Sequence, residues 1–126
     1  MRSSQRGSAI VEFALVSVVL VPMFFAILEL ALVWHVRTTL TSAASEGARL
    51  GAEYGSSPAL GRRRTVDVIA DNFGDGFADT VTAAQTQVDG QWGVEVEVHA
   101  RVPVLAFFGP VVSVEVHGHA IQELLP

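Results

Sequence analysis

Two carboxylates stand where carboxylates are costly. Glu12 opens the apolar stretch EFALVSVVLVPMFFAILELALV, and Glu29 sits inside it. A charged side chain at the centre of a membrane helix costs on the order of 3 kcal/mol, and less near its edge. Glu12 lies at the edge, where a lone acid snorkels to the interface. A second group with chemical capacity is the set His99, His117 and His119, interleaved with Glu95, Glu97 and Glu115. Imidazoles beside carboxylates are the donor types of a zinc site. Alternating His, Glu and Arg is also the ordinary make-up of a wet sheet face, and no metal or other cofactor is expected. The acids of Asp75 to Asp79 (DGFAD) match a calcium loop only in part: the alternating donors and the distant Glu are missing. Arg62-Arg63-Arg64 reads as a solvated surface run, with anionic lipid heads or an acidic partner as the sharper option. There is no nucleophile motif, no acid/base pair in an enclosed pocket and no phosphate-binding glycine loop. No catalytic residue is named, and no enzyme is expected.

The elements that position these groups begin with a membrane span. The chain has 126 residues, one small domain at most, and half of them are hydrophobic. The mean hydropathy of +0.42 is high for a soluble domain of this size. The excess is concentrated in Phe13 to Val33, broken only by Ser17, Pro22 and Glu29. At 1.5 Å per residue that run covers roughly 30 Å, the thickness of a bilayer core. A buried core helix is disfavoured, because so small a domain cannot cover an apolar helix on all sides. A cleaved secretory signal, with Ser42-Ala43-Ala44 as its exit, is disfavoured because such apolar regions run only about 7–15 residues. A retained anchor remains, with Trp34 and His35 at the far interface and Pro22 a tolerated kink. Arg2 and Arg6 on one side balance Arg37 and Arg49 on the other, so charge does not orient it. All eight basic residues are Arg, cysteine is absent and the net charge is −5, so nucleic acid is not an expected partner.

Beyond the span, Thr38 to Tyr54 reads as a helix continuing out of the bilayer. Leu40, Ala43, Ala44, Gly47, Leu50, Gly51 and Tyr54 make one face and Glu46, Arg49 and Glu53 the other. Ala43, Gly47 and Gly51 form a small-residue stripe that lets another backbone approach, either this protein's own sheet or a partner's helix. Ser57 caps a second helix with Pro58 at its first position, an apolar face of Val66, Ile69, Ala70 and Phe73, and an end at Gly74. Strands follow: Thr80 to Val88, an Asp89-Gly90 hairpin turn, Gly93 to Val102, and Val111 to Ile121 with Val112, Val114 and Val116 inward. His99 is placed across from His117 and His119. Pro103 to Pro110 is a loop whose Leu105, Phe107 and Phe108 cover the core or meet a partner. The fold class is α+β: a long amino-terminal transmembrane helix extending into a soluble helix, a second short helix, and a small carboxyl-terminal antiparallel sheet of about three strands.

The string RGSAIVEFALV, a proline within the apolar run, a second acid in ILEL and the alanine-rich TSAASEGARLGA together carry a resemblance. Arg-Gly, four residues, then Glu-Phe and a long apolar helix resembles the type IV prepilin processing site. The wider pattern, over about residues 5 to 55, looks like the TadE-like minor pseudopilins of the tight-adherence (Flp-type) pilus system. The resemblance implies cleavage between Gly7 and Ser8 by a prepilin peptidase, with Glu12 and Phe13 serving assembly. The new amine on Ser8 would then pair with Glu12 of a neighbour. Breaking a buried pair costs about 3–5 kcal/mol, so such pairing sets register between subunits. Glu29 is a possible second acid, although Leu30 and Ala31 follow it where the family often has an aromatic or glycine. The implied arrangement is a cytoplasmic leader over 1–7, a single-pass transmembrane helix over 8–36 and an extracytoplasmic head over 37–126. The implied partners are membrane lipid, other pilins or pseudopilins, the Tad assembly machinery and the prepilin peptidase. The alternative is a single-pass anchored binding module that is never processed.

Overall fold

The computed structural model describes residues 2–103 and 111–124. In chain order they form helix α1 (Arg2–Ala52), helix α2 (Pro58–Phe73) and strands β1 (Ala78–Val88), β2 (Gln91–Pro103) and β3 (Val111–Ile121). This is the α+β order expected from the sequence. The expected loop residues Leu105, Phe107 and Phe108 lie outside the described residues. The chain divides into two compact units, Met1–Leu32 and Val33–Pro126.

In the first unit the apolar side chains of α1 point outward. Ile10, Phe13, Val18 and Leu30 are all about 70% exposed. The most apolar 18-residue window of the helix has mean hydropathy 2.5 and no buried share. A soluble core helix would be covered; this one is long and apolar enough to be a single-pass membrane anchor. The Ser17 hydroxyl donates to the Phe13 carbonyl at 2.8 Å, so its proton has a partner inside the helix. The helix continues through Pro22.

The second unit is a three-stranded antiparallel sheet in the order β1-β2-β3, covered on one face by helices. Alternation along β2 buries Val94, Val96, Val98, Ala100 and Val102 and turns Glu95, Glu97, His99 and Arg101 outward. Val81 of β1 and Val114 and Val116 of β3 extend the buried row. Val112, expected inward, is exposed; it lies one rung from the end of the β2–β3 ladder, beyond the last buried pair on β3. Asp89 and Gly90 both take positive φ (50° and 80°), the conformation a two-residue hairpin turn requires. β1 begins at Ala78, so Asp79 is a strand residue rather than part of an acidic loop.

Val36, Leu40, Ala43, Ala44, Ala48 and Ala52 of α1 and Ile69 of α2 close the core. The buried face of α1 keeps Leu40, Ala43, Ala44, Gly47 and Gly51 of the expected face and widens beyond it. Ala48 and Ala52 are inside, Leu50 is half-buried and Tyr54, past the helix end, is exposed. On α2 the buried residues are Gly61, Thr65 and Ile69, while Val66 is exposed. Size decides both faces, because the packed surfaces approach to backbone distance. Ser57 caps α2 through its side chain, which accepts from the Leu60 amide, and Pro58 is the first helical residue. The chain after β3 returns to α1: the Glu123 amide donates to the Ala52 carbonyl at 2.9 Å, satisfying an orphan group at the helix end.

Candidate functional site

Gly7, Ser8, Glu12 and Phe13 all lie on α1 and all are exposed. Ser8 and Glu12 are four residues apart and so share a helix face. Gly7 is helical, and a Cβ placed on it would meet nothing within 4 Å. Neither packing nor backbone conformation asks for glycine there, and glycine inside a helix costs about 1 kcal/mol relative to alanine. Among the described residues the arginine–carboxylate pairs are Arg64–Glu46 and Arg101–Asp79, and Glu12 belongs to neither. In Glu29, Oε1 is shielded and has no hydrogen-bond partner among the described residues.

The Ala43, Gly47 and Gly51 stripe faces its own chain. A Cβ on Gly47 would lie 2.5 Å from the Gly61 carbonyl oxygen and overlap Thr65; one on Gly51 would lie 3.2 Å from the Ser57 carbonyl oxygen and from Val94 Cγ1. Ala43 is fully buried in the core. The two helices thus meet glycine to glycine, and the Thr65 hydroxyl at the crossing donates to the Gly61 carbonyl at 2.9 Å. Of the two expected alternatives, the stripe takes the one within the chain: it packs against α2 and, through Val94, the sheet.

The arginine run is exposed at all three positions, as expected, and two of the three also make contacts within the chain. Arg62 donates from Nε to the Val81 carbonyl of β1 at 2.7 Å, occupying a backbone acceptor on an edge strand. Arg64 reaches back to Glu46 of α1 at 2.5 Å. The Glu46 hydrogen bond, then its charge, raises the Arg64 guanidinium above its ordinary pKa. Asp79 does the same for Arg101, whose Nε is 2.8 Å from Asp79 Oδ2.

On the outer sheet face His99 does not stand opposite His117 or His119, where it was expected. His99 pairs across the ladder with Glu115, His117 with Glu97 and His119 with Glu95. Each imidazole faces an acid rather than another imidazole. Glu95, Glu97 and Glu115 were expected on this face, but which of them stands opposite each imidazole depends on strand register, which alternation does not supply.

One family model, described as TadE-like protein, matches residues 7–49, a segment that begins at Gly7 and ends on the packed part of α1. No curated protein and no solved structure matches the chain.

Proposed function

From an amino-terminal segment that is TadE-like, we propose that this chain is a minor pseudopilin that takes part in assembling a Flp/Tad-type pilus. The observation that carries the proposal is the family match starting at Gly7, joined to a single apolar helix able to anchor the chain. A prepilin peptidase cuts between Gly7 and Ser8 on the cytoplasmic side. A glycine that the fold itself does not need is accounted for by a peptidase that does need it. Hydrolysis leaves an ammonium on Ser8 at the new helix start. Glu12 of a neighbouring subunit neutralises it, and Phe13 with the apolar run beyond it packs against that neighbour. An acid near a helix amino terminus is also favoured by the helix dipole. The second unit, outside the cytoplasm, presents its surface to other pilus components and has no enzymatic role.

Amino-terminal sequencing of the mature protein is the direct test. Ser8 is the expected first residue, and Gly7→Phe is expected to leave the chain uncut in the membrane. An intact amino terminus in the unaltered protein would replace this reading with an unprocessed, anchored binding module.

A further inference from the structure

Pilus assembly leaves one arrangement on the outer sheet face without a role. Within β2, Glu97 and His99 are two residues apart; within β3, Glu115 and His117 are as well, so all four side chains rise on one face. Register sets Glu97 opposite His117 and His99 opposite Glu115. The result is a four-cornered block with acids on one diagonal and imidazoles on the other. His99 Nε2 contacts Glu97 Oε1, and its Nδ1 lies 3.7 Å from Glu115 Oε2. His117 Nε2 lies 3.0 Å from Glu115 Oε1, and its Nδ1 is 3.9 Å from Glu97 Oε2 and 3.8 Å from Glu95 Oε1.

Every ring nitrogen in the block therefore faces a carboxylate oxygen. A neutral imidazole carries one N–H and one lone pair. The Nε2 atoms are at hydrogen-bond distance from a carboxylate, while the Nδ1 atoms stand 3.7–3.9 Å from another, close enough for charge but not for a hydrogen bond. Arg101, next along this face of β2, is held by Asp79 and does not neutralise these carboxylates. A cation between the four side chains does, by accepting from the nitrogens and oxygens together.

We infer that Glu97, His99, Glu115 and His117 form a binding site for a divalent first-row transition ion such as zinc, with Glu95 as a further donor within reach. Two imidazoles with carboxylates are a donor set for zinc, whereas calcium and magnesium take oxygen alone. Ligands at about 2.1 Å around a tetrahedral zinc stand about 3.4 Å apart. The donors of Glu97, His99 and Glu115 lie within 4.8 Å of one another, and so, as a second set, do those of Glu95, Glu97 and His117, with Glu97 common to both. The four side chains are between 32% and 53% exposed, which leaves the block open to an ion from solvent.

The test is a zinc chloride titration of the full-length chain in detergent micelles, followed by histidine ring NMR signals and by thermal unfolding. Saturable shifts at His99 and His117, with His35 and His119 unmoved, are expected, together with a Tm that rises with zinc concentration. His99→Gln or His117→Gln alone should weaken binding by about tenfold or more. The double variant should abolish it, and His119→Gln should leave it intact. These positions are on the wet face, and far-UV circular dichroism checks that the variants fold. Ring signals indifferent to zinc would mean that protons on the rings settle the block, and would overturn the inference. So would zinc shifts that survive the double variant, or an equal response to calcium.

Discussion

Gly118 lies on β3 beneath the backbone of α1, where an added Cβ would come within 2.6 Å of the Ala44 carbonyl oxygen. Backbone on one side and backbone on the other leave no flexible side chain to yield. Gly118→Ala is therefore expected to destabilise the second unit by about 1–3 kcal/mol, the range for overpacked cores. In a thermal melt this is a drop of roughly 4–8 °C per kcal/mol. An unchanged Tm would contradict the close helix–sheet contact. Gly7→Ala should not lower that Tm, since open space surrounds the position. Two glycines of equal appearance in the sequence thus answer to different demands, and only their surroundings separate them. The same holds for the arginines: Arg62, Arg63 and Arg64 are consecutive, yet one holds a strand edge, one is solvated and one pairs with α1.

At the scale of elements, local chemistry was legible where it is self-contained. The start of α2 needs only Ser57 in an extended conformation and Pro58 after it, and both were readable. The long 3.4 Å bond from the Leu60 amide to Ser57 Oγ places this cap at the weaker end. Ser57→Ala is expected to cost about 0.5–1 kcal/mol of stability, with Ser57→Asp restoring it, both read from denaturant melts. Equal midpoints for all three proteins would show that the cap contributes nothing. The β1–β2 hairpin was readable for a similar reason, since Asp-Gly supplies the positive φ that its turn needs. Helix faces were less legible. Hydrophobic spacing found Leu40, Ala43, Ala44, Gly47 and Gly51 but also pointed to Leu50 and Tyr54, whereas α1 lies so close to α2 and the sheet that Ala48 and Ala52 go inside.

For the whole molecule the proposed function makes Glu12 the consequential group. If assembly places its carboxylate beside a neighbour's Ser8 ammonium, Glu12→Gln removes the charge at nearly constant shape. The variant is expected to insert in the membrane and to be cut after Gly7. Piliation of cells carrying it should fall by roughly a hundredfold or more, from the penalty of about 3–5 kcal/mol for an orphaned buried charge. Undiminished piliation would refute the pairing while leaving cleavage open to its own test.

The anchor, the cap, the hairpin turn and the alternation of β2 were determined by sequence alone. Each depends on a run of hydropathy or on the φ/ψ preferences of two or three adjacent residues. The tertiary structure alone decided which small residues of α1 are buried and that the Ala43, Gly47 and Gly51 stripe is taken up within the chain. It alone decided that each histidine of the sheet faces an acid. These depend on contacts between residues far apart in the chain. A shift of one residue in strand register or a modest turn of a helix changes every such contact while leaving the local pattern intact.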